Sequence, residues 1–408
     1  MDFSDLDAGI RKYMLLADTG ILKLITSILV ANQMPIIPPW IMLVGSSSGG
    51  KSMILNGIKD IPGVMRIDTL TTNTLLSGQK NSVKSSSLLD NLLPNTTLCF
   101  SDFSSMITKN KEAREEIFAQ MRLLWDGNMA KFTGGGVNKT WDKKPPGLIG
   151  ACTTTIYHVL PEMGDMGERL VLYHLSMPDR KQVAKFAIKR LNDKNQEAEM
   201  KKMFSRFMGE LKIPAEIPTF SDEIEDELID LAELATRARS SIQRDQYDRA
   251  KSQLFIHDLE MPTRLLKTIM GVATGMSVVN GSTEINNQDR NILYRLALDS
   301  IPMNRKKVLN DLTAYDHLKS EDIQIHLGMD KGIIDRTLQD LNSLQVIDKY
   351  KGAYGWVWKI KEEYRLLLSK FEGILLKADD VPAEVDRTAV PLPEEEQKSW
   401  EELAQMSQ

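Results

Sequence analysis

Cysteine is nearly missing from these 408 residues: the chain holds two, Cys99 and Cys152. Both lie in apolar runs, which argues against a disulfide framework and suits small core side chains in a reducing compartment. Histidine is scarce as well. The five present (His158, His174, His257, His317 and His326) share no zinc-binding spacing with the cysteines, so a metal centre made only of protein ligands is not expected. The most hydrophobic early stretch, residues 21–34, is too short to span a bilayer and carries Lys23. The opening MDFSDLDAGIRKY has acidic residues where a secretion signal would be basic, so the expectation is a cytoplasmic protein with no membrane contact. Net positive charge is lacking too: at a formal −5 the chain is no basic coat for nucleic acid, and any DNA contact must come from local patches. Length, by contrast, leaves room for two or three domains, each with its own core.

One dense signal stands out in 41–52, IMLVGSSSGGKS: a short apolar run, a loop of small residues, then Lys-Ser opening a helical pattern. It satisfies G-x-x-x-x-G-K-[ST] at every fixed position. Gly45, Ser46, Ser47, Ser48, Gly49 and Gly50 let the backbone curl with its N–H groups inward, where phosphate oxygens would sit against the positive end of the next helix. Lys51 would reach the β- and γ-phosphates of ATP, and the Ser52 hydroxyl would ligate Mg2+. A second anchor is TTLCFSDFSSM (96–106), a β-prone run ending in Asp102. An acid at a strand end beside such a loop can hold the magnesium. Only one carboxylate is present where many ATPases have Asp-Glu, so either Asp102 serves both needs or the base comes from elsewhere, and slow hydrolysis is expected.

The rest of the chain divides by texture. Residues 1–34 read as two helices packing on the core, and 35–178 as the nucleotide-binding core. Within it, 109–125 is an amphipathic helix, followed by a strand, Gly134-Gly135-Gly136, and a second strand: a β-hairpin with Lys139, Lys143 and Lys144 near its end. Those lysines suit a phosphate backbone, and equally suit an exposed basic hairpin without a ligand. LIGAC (148–152) is another core strand, delivering Thr153 and Thr154, whose hydroxyls can orient the attacking water. Arg169 follows a glycine-bearing loop; it fits either a finger offered to a neighbouring subunit's ATP or a local ion pair with Glu168 or Asp165. Residues 179–290 read as a charged helical lid, with Arg264 near the start of one helix. Residues 291–376 read as three helices and a Gly-turned hairpin, the pattern of a winged helix. Lys331 and Arg336 on its third helix, with Lys349 and Lys351 on the hairpin, can hold phosphates; Asp335 and Asp340 weigh against that, and protein contact is the alternative. Residues 377–408 form an acidic tail expected to be disordered, with Trp400 and Leu403 as a possible partner peptide.

The series GSSSGGKS, LCFSDFSSM, a long helix with a basic hairpin, LIGACTTT and MGERLVLYHL resembles the AAA+ ATPases, in particular minichromosome-maintenance-like helicases and ATPases of phages and mobile elements. The resemblance spans roughly 35–300. It implies an α/β P-loop core with a helical lid, and ATP and Mg2+ as cofactors. By position, it implies Asp102 as the magnesium or catalytic acid, Thr153 or Thr154 as first sensor, Arg169 as trans finger and Arg264 as second sensor. The hairpin of Lys139, Lys143 and Lys144 would touch DNA. Aligning the family's Asp-Glu with Ser101-Asp102 loses the usual magnesium aspartate. Three functions follow as expectations: a ring-forming homo-oligomer, a hexamer, that moves on single-stranded DNA; an ATP-driven loader, initiator or defence switch that does not unwind; or a DNA-binding module whose nucleotide only sets its assembly.

Overall fold

Alternation of apolar side chains builds the middle layer of the molecule. The computed structural model describes residues 1–46, 49–76, 87–132, 138–159, 169–176, 179–189, 195–244, 253–256, 259–315, 317–352 and 355–371. Along it come β1 (Trp40–Val44), β2 (Val64–Arg66), β3 (Thr97–Phe100), the antiparallel hairpin β4 (Asn128–Phe132) and β5 (Asn138–Asp142), then β6 (Gly147–Cys152) and β7 (Val171–His174). All but the hairpin join one parallel sheet, in the order β2-β3-β6-β1-β7. β1, β3 and β6 are buried at every position, as strands covered on both faces must be.

The two faces feed two cores. Trp40, Met42, Val44, Leu98, Phe100 and Leu172 point to the side covered by the hairpin's Met129 and Trp141 and by a helix bearing Ile117, Met121 and Leu124. Ile41, Leu43, Cys99, Ile149, Val171 and Tyr173 point to the opposite, larger core. The period of two is thus preserved in each strand.

Helices supply the outer layers: α1 (Phe3–Arg11), α2 (Ile21–Gln33), α3 (Lys51–Ile58), α4 (Ser104–Ile107), α5 (Lys111–Trp125), α6 (Arg180–Lys189), α7 (Gln196–Glu210), α8 (Asp222–Arg239), α9 (Thr263–Asn280) and α10 (Asn287–Leu298). α2 is buried from Ile21 to Asn32 and packs against α9. The contact is close enough that a β-carbon at Gly275 would overlap the carbonyl of Ser27. Lys23 of α2 lies 2.9 Å from the buried Asp289 of α10. No helix among the described residues is long and apolar enough to cross a membrane.

The helices α11 (Met303–Ala314), α12 (Ser320–Leu327) and α13 (Lys331–Ser343) stand where the sequence places three helices. An antiparallel hairpin, β10 (Ile347–Gly352) and β11 (Gly355–Ile360), and α14 (Glu362–Ser369) follow. Two expectations need correcting. The stretch 179–290 is not wholly helical, because β8 (Ile242–Arg244) and β9 (Gln253–Ile256) form an antiparallel hairpin inside it. A boundary at 290/291 would cut α10: the polar cluster at 286–289 starts a helix, with Asn286 Oδ1 accepting the amide of Asp289 at 2.9 Å. The expected tail peptide with Trp400 and Leu403, the glycine turn 134–136, and Asp165 and Glu168 lie outside the described residues.

Candidate functional site

The glycine-rich loop leaves the carboxyl end of β1 and enters α3, the edge of a parallel sheet where ligands bind in open α/β folds. Gly45 N–H is held by the Cys152 carbonyl at 3.3 Å, and Gly49 N–H by Ser46 at 3.3 Å. Gly50 sits at φ +82° as the N-cap of α3, a left-handed position that explains a glycine there. Ser47 and Ser48 lie outside the described residues. Lys51 is buried, and its Nζ turns back to donate to the carbonyls of Gly45 at 2.8 Å and Ser46 at 2.6 Å. Burial pushes its pKa below the ordinary 10.5, while Cys152 and Asp102 nearby pull the other way. Burial also pushes the Cys152 thiol up to about 12, so Cys152 is a neutral neighbour of the lysine.

The acid loop is joined to this cradle. Ser52 Oγ donates to the Ser101 carbonyl at 3.2 Å, and Phe103 N–H to Ala151 at 2.7 Å. Asp102 is exposed, with Oδ1 accepting the Ser104 amide at 2.8 Å. Strand β6 lies between β1 and β3 in the sheet, and its end binds both loops, so Lys51, Ser52 and Asp102 converge over it. Thr153 follows directly, half-buried, its hydroxyl 2.7 Å from that of Thr155. Thr154 is exposed at the start of the next short turn. This set offers backbone amides and an ammonium for an anion, with a hydroxyl and a carboxylate for a hard cation.

Other expected residues are placed elsewhere. Arg169 is buried within its own chain: Nη2 lies 2.9 Å and 3.0 Å from the two Asp126 oxygens, and the guanidinium rests 5.2 Å from the Trp125 ring centre. It thus forms an ion pair with Asp126 at the end of α5, while the expected partners Glu168 and Asp165 lie outside the described residues. Arg264 is exposed on the first turn of α9, and among the described residues no hydrogen bond or ion pair joins it to the cradle. Lys144, expected at DNA, has its Nζ held by Asn32 O, Met34 O at 2.6 Å and Asn95 Oδ1 at 2.9 Å. Burial lowers its pKa. Lys139 bonds Asp90 at 2.8 Å and Ser87 at 3.0 Å, whereas Lys143 is exposed.

Lys331 pairs with Glu321 at 3.1 Å. The Arg336 carbonyl accepts from Arg244 at 3.0 Å, Asp340 pairs with Arg244 and with Arg305, and Ser343 bonds Gln253 at 2.8 Å. Thus β8 and β9 cover the 336–340–343 face of α13. Lys349 and Lys351 remain on an exposed edge of β10.

Sequence reasoning missed a buried charge network beside the cradle. His174 ends β7 opposite Val44, the last residue before the loop. Its amide donates to Asp299 at 2.6 Å; Lys306 also pairs with Asp299, and Arg295 bridges Asp18 at 2.8 Å and the His174 carbonyl. Burial alone would raise the Asp299 pKa, but Lys306 and His174 outweigh it and hold the carboxyl well below its usual range. His174 and Asp299 are 125 positions apart and Arg295 and Asp18 277, so no local spacing signals the network.

No protein-family model and no curated protein matches the chain.

Proposed function

We propose that the chain is an Mg2+-dependent ATPase that works on DNA as a ring-forming translocase or helicase of a phage or mobile element. In this reading 35–178 is an AAA+ core, the following helices are its lid, and the last three helices with β10 and β11 are a winged helix. The observation that carries it is the convergence of Lys51, Ser52 and Asp102 at the carboxyl ends of β1 and β3, on either side of β6.

The residues present fit ATP and magnesium by their chemistry. Lys51 would exchange two loop carbonyls for phosphate oxygens, Ser52 and Asp102 would hold the cation, and Thr153 would orient water. When bound, Mg2+ neutralises charge on the β- and γ-phosphate oxygens. Arg169 would have to leave Asp126 before it could serve an adjoining copy's nucleotide.

Two observations favour the second reading, a loader, initiator or defence switch that assembles on DNA or a partner without unwinding. The single acid Asp102 already gives one oxygen to Ser104, and Arg169 is tied in cis. Phosphate release and strand displacement measured in parallel separate the two. Displacement supports the motor, turnover without it supports the switch, and neither activity in a protein that still binds nucleotide overturns the enzyme.

A further inference from the structure

The hairpin of β10 and β11 presents aromatic and cationic groups at the surface. Trp356 is 54% exposed and Tyr350 42%, in a unit whose other large rings are mostly buried. Across the hairpin Lys351 pairs with Trp356 and Lys349 with Trp358, so all four share one face. Lys349 Nζ lies 4.7 Å from the Trp356 ring centre and 5.0 Å from that of Trp358. Trp358 is buried, its Nε1 donating to Ser320 Oγ at 3.2 Å, which leaves Trp356 as the open ring. The one acid on β10, Asp348, accepts the Tyr350 hydroxyl at 3.3 Å.

We infer that this hairpin is a stacking platform for unpaired bases of single-stranded nucleic acid: Trp356 carries the base, and Lys349 and Lys351 meet the adjoining phosphates. The inference rests on the DNA reading above and assigns its contact. Charge complementarity favours that occupant, because an open indole flanked by two ammonium groups matches a base between phosphates. It also moves recognition away from α13, whose 336–340–343 face is taken by β8 and β9.

The test uses the full chain and two labelled strands of about 15 nucleotides, oligo-dT and an abasic strand with the same phosphates. Trp356→Ala should weaken oligo-dT binding about 5- to 150-fold and leave abasic binding unchanged, while Trp356→Phe keeps most of the affinity. Lys349→Gln should weaken both strands and reduce the salt slope by about one. Unchanged affinity for nucleotide shows that the variants remain folded. Equal losses on both strands for Trp356→Ala overturn the platform. So does unchanged or raised affinity, the result expected if the chain's own acidic segment 378–408 occupies the hairpin. Failure of the parent protein to bind either strand defeats the DNA reading itself, and the platform with it.

Discussion

The hydroxyl of Ser52 donates to the carbonyl of Ser101 at 3.2 Å, joining the first turn of α3 to the loop that carries Asp102. A ligand that draws the Ser52 hydroxyl away must break this link, so occupancy of the cradle is felt at the acid next in sequence. Through Phe103 and Ala151 the same loop is fixed to β6.

Asp102→Asn separates chemistry from structure. Asparagine can still accept the Ser104 amide, so stability and nucleotide affinity should stay near those of the parent while turnover falls about 10²-fold or more. Asp102→Ala should in addition lose about 1 kcal/mol of stability with that hydrogen bond. Phosphate release and urea unfolding check both; an Asn variant with full turnover removes Asp102 from the mechanism.

Arg169 tests the subunit interface. Mixtures of Arg169→Ala and Asp102→Asn chains should recover part of the turnover that each lacks alone, because sound halves of two sites can meet at one interface. Asp126→Asn weakens the cis pair and should raise turnover several-fold in the assembled protein. Mixtures that assemble yet stay inactive confine Arg169 to its own chain.

Proton linkage at Lys51 gives a signed pH effect. Burial holds its pKa below 10.5, and a bound triphosphate favours the charged ammonium, so affinity for an ATP analogue should fall as pH rises through that lowered value. Stability without nucleotide runs the other way. The folded chain loses this proton before the unfolded one, so the lysine's contribution to stability grows with pH across the interval up to 10.5. Calorimetric titrations from about pH 7 to about pH 10 measure the first effect, and a flat profile contradicts it.

Lys143 and Lys144 should part company. Lys144→Gln is expected to lower stability by about 1–3 kcal/mol through its three oxygen partners and to leave the salt dependence of DNA binding alone. Lys143→Gln should keep the unfolding midpoint and lower the salt slope by about one.

Local pattern made much of this readable. The apolar runs at 41–44 and 148–152 mark strands buried on both faces, and the glycines before Lys51 mark the turn into α3. The 290/291 boundary failed because the same polar residues stop and start helices; only the backbone shows Asn286 capping α10. Charge on a surface-looking residue misled more. Lys23, Lys144 and Arg169 find partners 266, 112 and 43 positions away, at Asp289, the Asn32 carbonyl and Asp126, distances along the chain that spacing rules do not reach. The covering of α13 by β8 and β9 was hidden for the same reason.

The central claim is a triphosphate held by Lys51 in the loop from Gly45 to Ser52. Calorimetric titration of an ATP analogue with Mg2+ into the parent chain and into Lys51→Ala tests it most directly. The account predicts one site per chain in the parent and at least about tenfold weaker binding in the variant, given a hydrogen bond to a charged group at stake. Equal affinity in the two proteins, or no binding to the parent, would contradict it.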